Sequence, residues 1–171
     1  MPVNITERHH KIKAKIEKPR IGGVFGIMVH RADGTEEHQS VNNIIVTKGV
    51  KRLGDILAGV ETTDIDLGFM EAGSSAQDPV IGDEDTVAPL TGAGSGRLAQ
   101  TAQTRSATTP FEVVIQIFIN STILTRPQTI RELTVFFTPS NGDLFARGVL
   151  DTPIVLNASD TATLTYGIVF L

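Results

Sequence analysis

The last third of the chain is built from runs of β-branched and aromatic residues. Such runs, bounded by Pro, Asn, Gly and Asp, are typical of β-strands. The predicted strands are Phe111 to Asn120, Thr129 to Thr138, Asp143 to Val155 and Ala162 to Leu171. The sequence Asn141-Gly142-Asp143 separates two of them and predicts a hairpin, because Asn and Gly tolerate the positive φ of tight turns.

The preceding part of the chain predicts a hairpin followed by one helix. Residues 24–46 form the hairpin, with its turn at Gly34. A helix is expected over about residues 48–58, with Thr47 as its N-cap and Gly59 just past its end. Its apolar face is made by residues at helical spacing, namely Val50, Leu53, Ile56 and Leu57.

A long polar segment separates this helix from the C-terminal strands. After a predicted strand over residues 67–71, residues 72–109 are rich in Ala, Gly, Ser, Thr, Gln and Asp. We expect a loop here, with one short strand at about residues 98–104. A structureless loop of this length is unusual in a compact domain. We therefore interpret it as an interaction surface, as a partly mobile segment, or as a segment ordered only by a neighbour.

Together these elements predict an all-β protein. The expected fold is an antiparallel β-sandwich or jelly-roll-like body with one short helix and an extended N-terminal arm. The arm covers residues 1–22, and residues 23–171 form a single domain. A chain of this size buries roughly 68–70% of its unfolded surface. A core can therefore form without disulfides, and the chain has no Cys.

Charge distinguishes the arm from the body. Residues 1–20 contain six basic and two acidic residues, and the remainder contains nine basic and seventeen acidic residues. The two parts therefore carry net charges of +4 and −8. This opposition favours contact between the arm and an acidic surface, either on another copy or on a different protein.

The arm also contains a strictly alternating segment at residues 11–16, and alternation is the strand period. It places three lysines on one face and two isoleucines with an alanine on the other. We expect this segment to add a strand to a neighbouring chain. The alternative is an edge strand of its own sheet, with the lysines guarding that edge. The candidate partner interface is therefore Lys11, Ile12, Lys13, Ala14, Lys15, Ile16, Lys18 and Arg20.

Candidate chemistry is sparse. The Gly-rich residues 92–97 are not followed by the Lys-Ser/Thr pair and the helix of a phosphate loop. Residues 83–85 (Asp-Glu-Asp) offer oxygens to Ca²⁺ but match no EF-hand order, and solvated acids are the alternative. His30 and His38 flank the first hairpin and are candidates to face each other, yet zinc needs two further ligands. We expect no cofactor and no metal.

The sequence assigns no catalytic residue. No serine lies in a nucleophile-elbow motif, and Glu112 and Glu132 lie within strand patterns that have a solvent face. Aromatic residues make up 5% of the chain, with no Trp, which disfavours sugar-binding and base-stacking surfaces. Apolar runs stay short of the roughly 18 residues of a spanning helix. We expect neither an enzyme nor a protein that binds nucleic acid, membrane or a small-molecule substrate.

Residues 43–171 resemble a recurrent type of virion protein of tailed bacteriophages. The matching segments are Asn43 to Gly49, Ile56 to Gly59, Leu67 to Ser74, Asp85-Thr86, Leu90, Arg131 to Phe136, Leu144 to Arg147 and Thr163 to Phe170. In similar proteins the glutamate strand usually reads Glu-Ile-Gly-Leu-Phe, where this chain has Glu132-Leu133-Thr134-Val135-Phe136. The resemblance implies a virion part of β-sandwich type, assembled in the host cytoplasm.

We therefore expect a capsid decoration, or cement, protein. It would bind the major capsid protein or other virion proteins through its arm and loops, as a homo-oligomer such as a trimer. The alternative is an adaptor or fibre-anchoring protein of the neck, tail or baseplate. Two further classes, a carbohydrate-binding module and a glycan-cleaving enzyme, fit the low aromatic content and the sparse chemistry less well.

Overall fold

The computed structural model describes residues 21–63, 66–92, 95–106, 111–123, 126–140 and 143–170. In chain order the strands are β1 (Ile21–His30), β2 (Glu36–Asn42), β3 (Ile44–Ile45), β4 (Phe69–Gly73), β5 (Leu98–Ala99), β6 (Ala102–Arg105), β7 (Phe111–Ile119), β8 (Gln128–Phe136), β9 (Leu144–Leu156) and β10 (Thr161–Phe170). One helix, α1 (Thr47–Leu57), lies between β3 and β4 in this part of the chain. The candidate interface of the arm, from Lys11 to Arg20, lies outside the described residues.

The strands form two five-stranded sheets, and the all-β fold class is confirmed. The first sheet has the order β2-β1-β10-β7-β6 and the second has the order β3-β9-β8-β4-β5. Every strand pairing within them is antiparallel. One hydrophobic cluster takes side chains from both sheets, which makes the body a β-sandwich.

Alternation along the strands sets which side chains enter this core. In β10, Ala162, Leu164, Tyr166 and Ile168 are buried, while the residues between them are only partly buried. The ring of Tyr166 lies 4.6 Å from that of Phe25 in β1. The core therefore forms where the inner faces of the two sheets meet.

Both predicted hairpins are confirmed by their strand pairings. β1 pairs with β2, and Gly34 in the turn between them has φ of +86°. β8 pairs with β9, although Asn141 and Gly142 of the predicted turn lie outside the described residues. The predicted loop at residues 72–109 was too long, because β4 extends to Gly73 and both β5 and β6 lie within it. β1 begins at Ile21, within the last two residues of the predicted arm.

The helix lies within one residue of its predicted position, but its N-cap prediction was wrong. Val46 occupies the N-cap position and makes no side-chain capping bond. The Val46 N–H instead donates to the carbonyl of Phe145, and the Thr47 N–H donates to the carbonyl of Ile81. Backbone carbonyls from other segments therefore accept the first two N–H groups at this end of α1. At the other end Gly59 has φ of +69°, as predicted for a residue just past a helix.

Gly49 brings α1 close to β9. A Cβ at this position would lie 2.5 Å from the carbonyl oxygen of Phe145, whereas a Cβ at Gly54 would meet nothing within 4 Å. We expect Gly49→Ala to lower the free energy of unfolding by about 1–3 kcal/mol, because backbone must move. Gly54→Ala, in the same helix, is the control and should be neutral or stabilising by up to about 1 kcal/mol. Urea unfolding of both variants checks this, and equal effects would contradict the close contact.

Candidate partner interface

The outer face of the second sheet is covered by residues 74–92, which we call the covering loop. Within it Thr86 and Leu90 are buried. The Ser74 N–H donates to the carbonyl of Ala88, and the Leu90 N–H donates to that of Ala72. These contacts are all within one chain. Backbone hydrogen bonds to its own chain therefore hold the covering loop on the sheet.

A buried ion pair anchors the covering loop to the sheet. Glu132 in β8 and Arg147 in β9 are both fully buried, and the Arg147 Nε donates to the Glu132 Oε1 at 2.6 Å. The Val87 and Ala88 N–H groups donate to the two carboxylate oxygens of Glu132 at 2.7 and 3.1 Å. Glu132 thus binds the backbone of the loop through both of its oxygens, and the buried carboxylate is satisfied by these two N–H groups and by Arg147.

Arg147 extends this anchor to the first half of the covering loop. Its Nη1 donates to the Asp83 Oδ2 at 3.0 Å, and its Nη2 donates to the carbonyl of Gln77 at 2.8 Å. A single guanidinium therefore contacts the sheet and two separate points of the loop, as its fixed fork of donors allows.

A second buried polar cluster lies beside the first. The Thr86 hydroxyl donates to the Glu71 Oε2 at 2.5 Å and lies 2.8 Å from the Thr134 hydroxyl oxygen. Burial raises the pKa of Glu71, the hydroxyl of Thr86 opposes this, and the charge of Asp85 adds to the rise. The folded chain therefore favours the protonated form of Glu71 more than the unfolded chain does.

This raised pKa gives Glu71 a defined effect on stability. A carboxyl with a raised folded-state pKa contributes most stability at low pH and loses it as pH rises through that pKa. Glu71→Gln carries no charge. The wild type should therefore lose unfolding free energy relative to this variant as pH rises from about 4.3, the ordinary pKa of Glu, to neutral pH. Urea unfolding across this range tests the expectation. Glu84→Gln, at an exposed position of the covering loop, is the control, and a pH-independent difference for Glu71→Gln would contradict it.

The prediction that Glu132 has a solvent face was wrong. Its side chain is fully buried because the covering loop lies over the strand. The sequence carried a weak signal for this, since Glu132 and Arg147 each stand within hydrophobic runs. As both side chains of the pair are inaccessible, no substrate can reach them, and their role here is structural.

Two of the three acidic residues considered for calcium bind arginines. Asp83 pairs with Arg147 at 3.0 Å, and Asp85 pairs with Arg97 at 3.1 Å. The Arg97 guanidinium also lies 3.5 Å from the centre of the Phe136 ring, on β8. Within the described residues, no three His, Asp or Glu side chains lie close enough together to hold a metal ion.

The two histidines of the first hairpin do not face each other. His30 is paired with Glu36, and its Nδ1 lies 3.0 Å from the Glu36 carboxylate, whereas His38 is paired with Met28. The register of β1 and β2 is therefore incompatible with the predicted juxtaposition.

Exposed apolar side chains are found on α1, just after its end, and on the covering loop. Val50 is 56% exposed, Leu57 is 80% exposed and Val60 is 77% exposed. Ile81 is 64% exposed, and its carbonyl accepts the Thr47 N–H. We call these four residues the helix-side surface. The predicted apolar face of α1 is thus only partly used by the core, which leaves apolar area available for a partner.

An open groove lies between α1 and the start of β1. Its volume is about 390 Å³, and its lining residues are Ile21, Gly22, Gly23, Asn43, Ile45, Val50, Leu53 and Phe145. Ile21 directly follows the basic arm in the chain. Val50 of the helix-side surface and Ile21, the first described residue of β1, therefore line the same groove.

Intramolecular pairing uses much of the body's positive charge. Arg31, Lys51, Arg52, Arg97 and Arg147 all form salt bridges within the chain. Asp78 and Glu84, on the covering loop, are exposed. The acidic excess of the body is therefore presented at its surface, and the sequence places the compensating basic excess in the arm.

No protein family, curated protein or solved structure matches this chain. Among the described residues, no helix has the length and apolarity needed to cross a membrane.

Proposed function

We propose that this chain is a structural protein of a tailed-phage virion that decorates the capsid. It binds the major capsid protein through its N-terminal arm and through the exposed apolar residues near the arm. It acts as a symmetric homo-oligomer such as a trimer, and its mechanism is passive adhesion that holds neighbouring capsid subunits together. The proposal that the particle is a tailed-phage virion rests on the resemblance of residues 43–171 to phage virion proteins.

One observation carries the proposal: a basic, alternating segment joins an acidic body beside exposed apolar surface. The arm has a net charge of +4, and Ile21, directly after it, lines the groove along α1. Val50 and Leu57 of the helix-side surface expose more than half of their area. Apolar area with charged residues around it is typical of protein–protein contact sites.

The buried ionic clusters are consistent with a passive role. The pair of Glu132 and Arg147 fixes the covering loop on the sheet without exposing either charge. Val80 and Ile81 are exposed on this loop. Because the loop backbone is already fixed, it would lose less conformational entropy when these side chains bind a partner.

The arm is tested by deleting residues 1–20. We expect the shortened chain to keep its β-sheet circular dichroism and to lose binding to capsids that lack the protein, measured by co-sedimentation. The control replaces the arm with a neutral Gly/Ser segment of the same length, and it should also fail to bind. Binding at full strength by either variant would refute a role for the arm.

Charge is tested separately by changing Lys11, Lys13 and Lys15 to Gln in the full chain. Because contacts between opposite charges weaken as salt rises, the wild type should bind less at high salt and the variant should show a flatter salt dependence. Identical salt dependence would show that these lysines do not meet an acidic partner.

A further inference from the structure

The outer face of the first sheet exposes apolar side chains. The inner face of this sheet contributes to the core, and the covering loop lies on the second sheet. Because alternate residues of a strand share a face, the residues between the buried positions of β1, β7 and β10 point outward. Three of these, Val24, Met28 and Phe118, are 40%, 37% and 44% exposed.

Backbone pairing aligns the outward residues in rows across the strands. The middle row crosses all five strands and consists of Ser40, Gly26, Thr165, Gln116 and Ala102. The row on one side consists of His38, Met28, Thr163 and Phe118. The row on the other side consists of Asn42, Val24, Gly167, Val114 and Thr104. We call these three rows the open face.

The open face contains no Asp, Glu, Lys or Arg, although these residues make up 20% of the chain. The nearest carboxylates lie beyond its two ends, at Glu36 beside His30 and at Glu112. Such depletion of charge is typical of the centre of a protein–protein interface. Since residues 21–171 carry a net charge of −8, two copies of the body repel each other least across this face.

The open face is not filled by its own side chains. A hollow of about 300 Å³ lies in it, lined by Ile27, Met28, His38, Gln116, Thr163 and Thr165. Sheets that pack face to face interdigitate their side chains across a gap of about 10 Å. The hollow therefore leaves room for an apolar side chain from a second sheet.

The apolar side chains of the open face are arranged symmetrically about the middle row. Val24 and Met28 of β1 lie on either side of this row, and so do Val114 and Phe118 of β7. A two-fold axis along the middle row brings Met28 of one copy onto Val24 of the other. It also brings Phe118 onto Val114. The face is thus complementary to itself, as a two-fold interface requires.

We propose that the open face binds the open face of a second copy, which gives a two-fold symmetric dimer. A different protein would find no charged group here to recognise, whereas the symmetric apolar pattern fits a second copy. With strands about 4.8 Å apart and a rise of about 3.4 Å per residue, the outer face of this sheet measures roughly 24 by 30 Å. This is close to the about 800 Å² per partner of a stable complex.

The inference rests on the homo-oligomer of the proposed function and names the surface that forms it. The proposed function gives a trimer as one example, whereas the symmetry of this face favours a dimer. Because the face is partly polar, we expect a dissociation constant of about 1–10 µM. Dimer formation adds to apparent stability, so unfolding comparisons that involve this face, such as Phe118→Ala, are made below that concentration.

The test uses the purified full-length protein without capsids, so its failure is separate from a failure of capsid binding. Sedimentation at about 100 µM should show a dimer, at least ten times the expected dissociation constant. Gln116→Glu and Gln116→Lys each place like charges against one another at the two-fold axis. Each should raise the dissociation constant at least about tenfold. An equimolar mixture of the two variants should form dimers again, because opposite charges then meet.

Gln103→Glu and Gln103→Lys are the matched controls. Gln103 lies in β6 beside the middle row, but it is paired with the core residue Ile115 and therefore lies on the other face of the sheet. These variants should dimerise like the wild type. Circular dichroism checks that every variant keeps its fold. Ala102→Glu and Ala102→Lys, at the exposed end of the middle row, repeat the test at a second position.

Three results would overturn the proposal. A wild type that is monomeric or trimeric at about 100 µM would exclude the two-fold dimer. Dimers that persist in both Gln116 variants would place the interface elsewhere. Mixed Gln116 variants that stay monomeric would show that this residue does not meet its own copy. If the wild type is monomeric and Gln116→Glu loses capsid binding, the open face belongs to the capsid contact instead.

Discussion

Replacing Arg147 with Ala is expected to lower the free energy of unfolding by about 3–5 kcal/mol, because it leaves the buried Glu132 carboxylate without its cation. The loss should also release the covering loop. Arg147 donates to Asp83 and to the carbonyl of Gln77, two points of that loop. The size of the effect depends on burial, since neither charge of the pair can be hydrated in the folded chain.

Lys51→Ala is the control for the loss of a salt bridge. Lys51 pairs with Asp55 one turn along α1, with side-chain exposures of 77% and 37%. Such an exposed pair is screened by solvent and contributes little to stability, so Lys51→Ala should leave the free energy of unfolding nearly unchanged. Urea unfolding measures both variants, and hydrogen exchange at Val87 and Ala88 reports the loop. Comparable destabilisation by the two variants, or unchanged exchange at Val87 and Ala88 in Arg147→Ala, would contradict the anchoring role.

Replacing Glu132 and Arg147 together with apolar residues should lower the free energy of unfolding. The Glu132 carboxylate also accepts the N–H groups of Val87 and Ala88, and these donors would lose their partner. We therefore expect Glu132→Leu with Arg147→Met to remain less stable than the wild type. This distinguishes the cluster from isolated buried pairs, whose apolar replacements are often neutral or stabilising.

Phe145→Ala is the second change with a large expected effect, a loss of about 3–5 kcal/mol in unfolding free energy. The Phe145 ring is 1% exposed and packs edge-on against Phe137 and Tyr166, with ring centres 5.6 and 6.2 Å apart. Its truncation leaves a cavity at the centre of the sandwich. The same residue lines the groove beneath α1, so the cavity would open towards solvent.

Phe118→Ala removes the same side chain from the outer face of the first sheet and is the matched control. Phe118 is 44% exposed, so its loss should cost less than about 1 kcal/mol. Phe145→Leu should have an intermediate effect, because it keeps most of the buried volume. Equal losses for Phe145→Ala and Phe118→Ala in thermal or urea unfolding would place the core elsewhere.

The strands of the C-terminal third were predictable because one face of each is buried. In β10, polar Thr163 and Thr165 alternate with buried Leu164 and Tyr166, and alternation is a local signal. The hairpin around Gly34 was predictable for a similar reason, since its turn chemistry is local. The sequence predicted one short strand where the structure has two, β5 and β6. Strands of two and four residues are too short to show a clear alternation of polar and apolar residues.

The role of the covering loop was not predictable from the sequence. Its order depends on Glu132 and Arg147, which lie 44 or more residues along the chain from the Ala88 N–H and the Gln77 carbonyl that they bind. Contacts at such separation leave no periodic trace. Local propensity likewise favoured Thr47 as the N-cap, but tertiary contacts to Ile81 and Phe145 placed Val46 there instead. The candidate site in the arm remains a prediction.

The most direct test of the proposed function is the number of copies of this chain in the purified virion, counted by quantitative mass spectrometry against the major capsid protein. The proposal predicts hundreds of copies, in a simple ratio to the capsid subunits, as decoration of the head lattice requires. A number near three, six or twelve would contradict it and would place the protein at the neck, tail or baseplate.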